Sequence, residues 1–214
     1  GFILPKFFLD NCGPYVAAIR SISQTASYVY MPIFESAAMI PPAARQTALA
    51  EIREQLDTVS GSILNVRVGG NDLSHAFGLR RPVDRTIYDL RPVADILIDI
   101  VATFGDRYVV SGPVWEYYSG EGWDTGLRRE LEMDLLNGFI GKTVIHPNQI
   151  PVVNEMLRVS VRDYADARAV LNWDAGSGRL VAASAGADRM NEYNTHFNWA
   201  RKIVLRAERY GTRP

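Results

Sequence analysis

Tyr28-Val29-Tyr30-Met31-Pro32-Ile33-Phe34-Glu35 is an aromatic and aliphatic run that stops abruptly on a carboxylate. Its first seven residues read as a strand buried in a core. Four other short runs read the same way: Phe2–Leu4, Ile63–Val68, Tyr108–Val110 and Thr143–Ile145, each ended by Pro, Gly or a polar residue. Between them the apolar period changes to that of a helix. Ala43–Val59 sets Ala44, Leu49, Ile52, Leu56 and Val59 among charges, and Leu90–Phe104 is rich enough in aliphatics to lie on a sheet. Thr125–Leu136 carries Arg128, Arg129, Glu130, Glu132 and Asp134 on what reads as its wetter side. Strands recurring every 25–45 residues or so give the βαβ rhythm of a parallel sheet.

After Ile145 the pattern turns helical. Pro147–Arg158 is one helix; Ser160 reads as the N-cap of the next, with Asp163 at its third position. Asp174–Asp188 is rich in Gly, Ala and Ser and reads as a loop, and Met190–Tyr210 is a last helix stopped by Gly211. The expected organisation is a strand–helix domain over residues 1–158 and a helical extension over 159–214, packed on the first domain or on a neighbouring subunit. Five βα units are too few to close a (β/α)8 barrel of about 250 residues. An open doubly wound sheet would carry a Gly-rich phosphate loop after its first strand, and Pro5-Lys6-Phe7-Phe8 is not one.

The 214 residues include 23 Lys and Arg against 24 Asp and Glu, a formal charge of -1, which argues against a general nucleic-acid surface. No run of about 18 apolar residues exists to span a membrane. The single cysteine, Cys12, cannot form an internal disulfide and suits a reducing cytoplasm. The chain opens Gly1-Phe2-Ile3-Leu4-Pro5-Lys6, neither a start methionine nor a signal-peptide head, and reads like the middle of a strand. An upstream segment is therefore expected.

In parallel α/β folds the chemistry gathers where strands end. Those ends here carry Lys6, then Glu35, then Arg67 with Gly69-Gly70-Asn71-Asp72, then Ser111-Gly112-Pro113, then His146-Pro147. A carboxylate at the mouth of so apolar a strand is costly unless it is paired or holds a metal. Glu35 and Asp72 can each alternatively cap the helix that follows. With no His or Cys beside them, they suit a hard ion such as Mg2+ rather than zinc. Gly69 and Gly70 let a backbone approach a ligand and offer amide donors.

Other signals are ambiguous. Gly141-Lys142-Thr143 fails as a phosphate loop, because position 136 is Leu. His146 is a structural cap or a site residue, and His75 and His196 read as surface histidines. Arg80-Arg81 either grips an anion or sits in solvent. The aromatic loop Trp115–Trp123 reads as a lid, an oligomer contact or a loop folded on its own rim.

Pro5-Lys6, the strand ending in Glu35, Gly69-Gly70-Asn71-Asp72-Leu73 and Gly141-Lys142-Thr143-Val144-Ile145-His146-Pro147-Asn148-Gln149-Ile150 together resemble the HpcH/HpaI aldolase and citrate lyase beta-subunit family, in that family's order and about its spacing. The last run is the most specific, and the resemblance covers roughly residues 1–170. The tail, with Trp199-Ala200 and Arg206-Ala207, is closer to a C–C bond lyase branch associated with tellurium-resistance-type gene clusters.

The resemblance implies a partial TIM (β/α)8 barrel, about strands 4–8, with the N-terminal strands missing and with them an arginine that holds substrate. It implies a Mg2+-dependent carbon–carbon lyase or aldolase working through a metal-stabilised enolate on an oxo-acid or acyl-CoA-type substrate. Glu35 and Asp72 match the family's metal ligands. Lys6 and Arg67 are the expected catalytic residues; Gly69, Gly70, Pro113 and His146 are expected to bind substrate. A cytoplasmic homo-oligomer is expected, and these 214 residues alone are expected to be inactive. The alternative is a barrel without chemistry that serves as a binding or scaffolding subunit.

Overall fold

The computed structural model describes residues 1–173 and 181–214. The chain divides into two compact units, Gly1–Val153 and Asn154–Pro214. Among the described residues, no helix is long and apolar enough to cross a membrane.

The first unit runs β1 (Phe2–Leu4), α1 (Leu9–Ile22), β2 (Tyr30–Phe34), α2 (Pro42–Asp57), β3 (Val66–Val68), α3 (Gly70–Ala76), α4 (Arg91–Phe104), β4 (Val110–Ser111) and α5 (Trp123–Leu136). α6 (Gln149–Met156) carries the chain across into the second unit. The four strands form one parallel sheet in chain order, with Leu4 opposite Pro32, Phe34 opposite Val68, and Val66 opposite Val110. Crossovers between parallel strands share one hand, so strands in chain order lay their helices along one face.

Burial follows that topology. Tyr30, Pro32 and Phe34 of β2 are buried, while Met31 and Ile33 between them are half-buried; in β3, Val66 and Val68 are buried around a half-buried Arg67. The buried set joins Val16 and Ile19 of α1, Leu49, Ile52 and Leu56 of α2, and Ile96, Leu97 and Ile100 of α4 in a single core. Each such side chain contributes about 1.5–3 kcal/mol on burial. Phe34 stacks on Phe104 with ring centroids 5.0 Å apart. The opposite face of the sheet carries Ile3, Met31, Ile33 and Arg67 by alternation, and Ile3 is half exposed.

Two local readings are corrected and one helix is added. α1 is a helix that the sequence reading did not name; Gly13-Pro14 interrupts its pattern, yet Cys12, Val16 and Ile19 line its buried side. Thr143–Ile145 is not a strand: one parallel bridge, Gly112 to Lys142, is all that forms. The Ile145 N–H donates instead to Gln149 Oε1 at 2.9 Å, which takes it out of any ladder. The supposedly wet side of α5 is wrong at two positions, since Glu130 and Asp134 are fully buried.

The second unit contains β5 (Val159–Ser160), α7 (Val161–Leu171), β6 (Val181–Ala183), β7 (Met190–Glu192), α8 (Tyr193–Tyr210) and β8 (Thr212–Arg213). α7 and α8 enclose a small core of Ala167, Val170, Ala200 and Ile203. Ser160 caps α7 by accepting from the Asp163 N–H at 3.0 Å, and α8 ends at Gly211 with a left-handed φ of 81°. Part of the expected loop, residues 174–180, lies outside the described residues. Val181–Ala183 pairs antiparallel with Met190–Glu192, so α8 starts at Tyr193 rather than at Met190. Arg189, next to that hairpin, reaches Asp163 at 2.7 Å and Asp166 at 2.5 Å.

Candidate active site

The residues after β1, β2 and β3 meet. Pro5 and Lys6 follow β1, and Lys6 has a left-handed φ of 50°, uncommon for a side-chain-bearing residue. Two partners hold that turn: Asn11 Nδ2 donates to the Lys6 carbonyl at 2.8 Å, and the Lys6 N–H donates to Glu35 Oε1 at 2.9 Å. The Lys6 ammonium then donates to Asp72 Oδ1 at 2.8 Å and lies 4.0 Å from Glu35 Oε1. One nitrogen at those distances keeps the two carboxylate oxygens within about 7 Å of each other. The Asp72 hydrogen bond holds the Lys6 ammonium above its usual pKa.

Neither carboxylate caps the helix after it. The turn that follows Glu35 is capped by Ser36, whose Oγ accepts from the Ala38 N–H at 3.2 Å. α3 begins behind Gly69, with Asp72 in its first turn facing Lys6. Glycine is required at positions 69 and 70 by close approach. A Cβ on Gly69 would stand 2.4 Å from Glu35 Cβ and 2.5 Å from Glu35 Oε2. A Cβ on Gly70 would meet Ile87 at 2.5 Å and Pro113 at 2.7 Å. The Gly69 N–H is spent on the Phe34 carbonyl at 2.9 Å, so the expected pair of amide donors reduces to Gly70.

Arg67 points away from the core and donates to Thr143 Oγ1 at 3.0 Å, joining β3 to the Gly141–Thr143 segment. On the same side Asn65 donates to Ser111 Oγ. His146 is stacked on Tyr118, ring centroids 4.4 Å apart, and its Nδ1 accepts from the Asn148 N–H at 3.2 Å. That bond leaves Nε2 to carry the proton of the neutral ring. The Trp115–Trp123 loop folds back on its own unit: Trp115 is fully buried, its Nε1 donates to the Trp123 carbonyl, and Tyr117 Oη donates to the Arg81 carbonyl.

Behind these loops lies a buried ionic scaffold that the sequence reading did not identify. The Lys142 ammonium sits 2.6 Å from Glu130 Oε1 and 2.8 Å from Asp134 Oδ2, with all three side chains sealed from solvent. Arg81 Nε faces Glu130 Oε2 at 3.0 Å and its guanidinium lies over the Trp115 ring. Tyr88 Oη donates to Asp134 Oδ1 at 2.8 Å. Burial pushes the Asp134 carboxyl up, opposed by the Lys142 charge. The Gly-Lys-Thr lysine is thus a buried counter-ion rather than a phosphate ligand. The Arg80-Arg81 pair splits as well, Arg81 inside and Arg80 on the surface with Glu116. A signal existed: Glu130 and Asp134 share a helical stripe with Leu127 and Leu131.

A family model described as a C–C bond lyase of the TIM-barrel fold matches residues 1–212. Among solved structures, CitE from Mycobacterium tuberculosis in complex with magnesium, acetoacetate and coenzyme A is similar at 22% identity and TM-score 0.62, over 96% of this chain and 67% of that one. A citrate lyase from Burkholderia xenovorans LB400 is similar at 14% identity and TM-score 0.69, over 99% of this chain and 64% of that one. RipC from Yersinia pestis is similar at 17% identity and TM-score 0.56, over 75% of this chain and 65% of that one. The chain spans about two thirds of the length of these structures. No curated protein matches its sequence. With the family model covering nearly every residue, the chain belongs to the C–C bond lyase family of the TIM-barrel fold.

Proposed function

We propose that this chain provides the metal-binding part of a Mg2+-dependent carbon–carbon lyase that acts on an oxo-acid or acyl-CoA-type substrate. One observation carries the reading: two carboxylates on neighbouring strand ends, Glu35 and Asp72, already gather around a single cation, the Lys6 ammonium. A pair of hard oxygen donors that collects positive charge fits Mg2+, which accepts one or two carboxylates and completes its shell with water and substrate oxygens. The four parallel strands read as part of a barrel whose other strands lie outside these residues. The sheet face bearing Ile3, Met31, Ile33 and Arg67 supports this, because a closed barrel fills that face with its own side chains.

Cleaving a bond beside a carbonyl leaves an enolate on one fragment. Glu35 and Asp72 would hold the Mg2+, which would supply Lewis-acid charge where that negative charge develops. Glu35 is set in place by the Lys6 N–H and by the absence of a side chain at Gly69. Arg67 spends one nitrogen on Thr143, and its guanidinium has further donors for a substrate carboxylate. The Gly70 N–H, in the first turn of α3, has no acceptor within its own helix and can take a substrate oxygen. Pro113 walls the site against Gly70, and His146 presents its Nε2–H to substrate. A cytoplasmic setting accords with Cys12, a single buried thiol.

Mn2+ binding followed by electron paramagnetic resonance tests the metal reading. Asp72→Asn and Glu35→Gln should each weaken binding about tenfold or more, and the double variant should cost little beyond either single one, since the two act as a unit. Retro-aldol cleavage assayed alongside should fall with them. Mn2+ binding that ignores both substitutions overturns the reading. Binding without turnover in the complete gene product favours a scaffolding subunit.

A further inference from the structure

Two clusters in the first unit share one composition, a lysine between two carboxylates, and differ in their exposure. Lys142, Glu130 and Asp134 are wholly buried, so that ammonium is a permanent part of the core. The Lys6 side chain is 65% exposed and that of Asp72 47%, while Glu35 is 12% exposed. An exposed ammonium–carboxylate contact is weak and exchanges readily. The Lys6 backbone is not free in the same way. Its left-handed turn is fixed by Asn11, and its N–H holds Glu35 independently of the side chain. The residue is therefore a fixed post with a mobile cationic arm.

We propose that Lys6 is a tethered counter-ion of the Glu35–Asp72 pair, which a divalent ion displaces and whose freed ammonium then faces the anionic substrate. This rests on the metal reading above. Without a divalent ion, two carboxylates facing one another repel, and the ammonium offsets that repulsion. A dication at the carboxylates repels an ammonium 2.8 Å from Asp72, and the flexible four-carbon stem lets the ammonium leave without moving Glu35. Swung out, it adds positive charge beside the ion, so that substrate anions are drawn to a site that already holds metal. The design orders the two binding events, with metal first and substrate second.

The lysine content makes this measurable. The chain has three lysines, Lys6, Lys142 and Lys202; Lys142 is sealed, and Lys202 lies on the surface of α8. Trace acetylation of the full chain, read by mass spectrometry with and without Mg2+, should show Lys6 reacting about threefold faster with the ion present, and Lys202 unchanged. Lys6→Met should bind Mn2+ about three to ten times more tightly, because the competitor is gone. Lys6→Gly accepts the left-handed backbone and should tighten binding by the same factor, which covers a failure of the Met variant to fold.

Slower or unchanged Lys6 acetylation under saturating Mg2+ overturns the proposal. So does weaker Mn2+ binding in both variants, which would make Lys6 a support of the site. If Mn2+ binding responds to Asp72→Asn but Lys6 fails these tests, only the counter-ion proposal falls. If Mn2+ binding ignores Asp72→Asn, the metal reading falls with it.

Discussion

Replacing Lys142 with Met removes one ammonium from a sealed cluster and keeps much of its volume. Glu130 retains Arg81 at 3.0 Å and the Ile87 N–H at 2.8 Å, so the exposed deficit falls on Asp134. That carboxylate keeps only the Tyr88 hydroxyl of the partners that favour its charge. Breaking a buried pair by deleting one partner costs about 3–5 kcal/mol. Against a net folding stability of about 5–15 kcal/mol, that is about a fifth of the total or more. For a unit of this size it corresponds to a fall in Tm of roughly 6–20 °C. The cost must also depend on pH. Burial already raises the Asp134 carboxyl, and without Lys142 it rises further, so the folded variant holds a proton that the unfolded chain releases near pH 4. The wild-type carboxyl is itself raised, so the variant's deficit grows as pH rises from the wild-type folded pKa through the higher folded pKa of the variant, and shrinks as pH falls. Urea unfolding followed by tryptophan fluorescence at pH 7 and pH 5.5 measures both effects. Lys142→Met combined with Asp134→Asn should recover most of the loss, because an amide has no charge to bury. A deficit below about 1 kcal/mol, or one equal at the two pH values, refutes the reasoning.

Gly69→Ala should be costly out of proportion to one methyl group, because its Cβ would overlap Glu35. Overpacking of this kind costs about 1–3 kcal/mol, and Mn2+ affinity should drop with it; unchanged affinity would show that Glu35 has room to spare. In the second unit, burial works to raise the Asp166 carboxyl, but hydrogen bonds from Arg189 and the Ala185 N–H outweigh it and leave the group below the usual carboxylate range. Its contribution is present above about pH 4 and is lost as pH falls through the lowered value. Arg189→Met should abolish that acid sensitivity, read as the pH dependence of amide hydrogen exchange in α7.

The strands and the polar residues at their ends were legible because both are local properties. A run such as Tyr30–Phe34 buries alternate residues against helices, and the next position must face the strand's mouth. What was not legible depended on partners far along the chain. Lys142 and Glu130 are twelve residues apart and Arg81 and Glu130 forty-nine, so nothing in Gly-Lys-Thr or Arg-Arg announces a buried ion network. The Thr143–Ile145 run has strand composition, but the pull of Lys142 into that network and the capture of the Ile145 N–H by Gln149 withdraw it from the ladder. α1 was hidden by Gly13-Pro14, breakers inside a helix whose buried side, Cys12, Val16 and Ile19, is otherwise regular.

The buried Gln149 side chain joins two segments far apart in sequence. Its Nε2 donates to the Trp115 and Tyr117 carbonyls at 2.9 Å each, while its Oε1 accepts from the Ile145 N–H. Tyr118 extends the same join, stacking on His146 and accepting from Asn148 Nδ2. The aromatic loop and the His146 segment therefore move as one body on the timescale of local opening, since neither can lift without stranding amide groups of the other inside the protein. A ligand that stills one of them stills both. Thr143, three residues before His146, ties the same body to the guanidinium of Arg67 on β3.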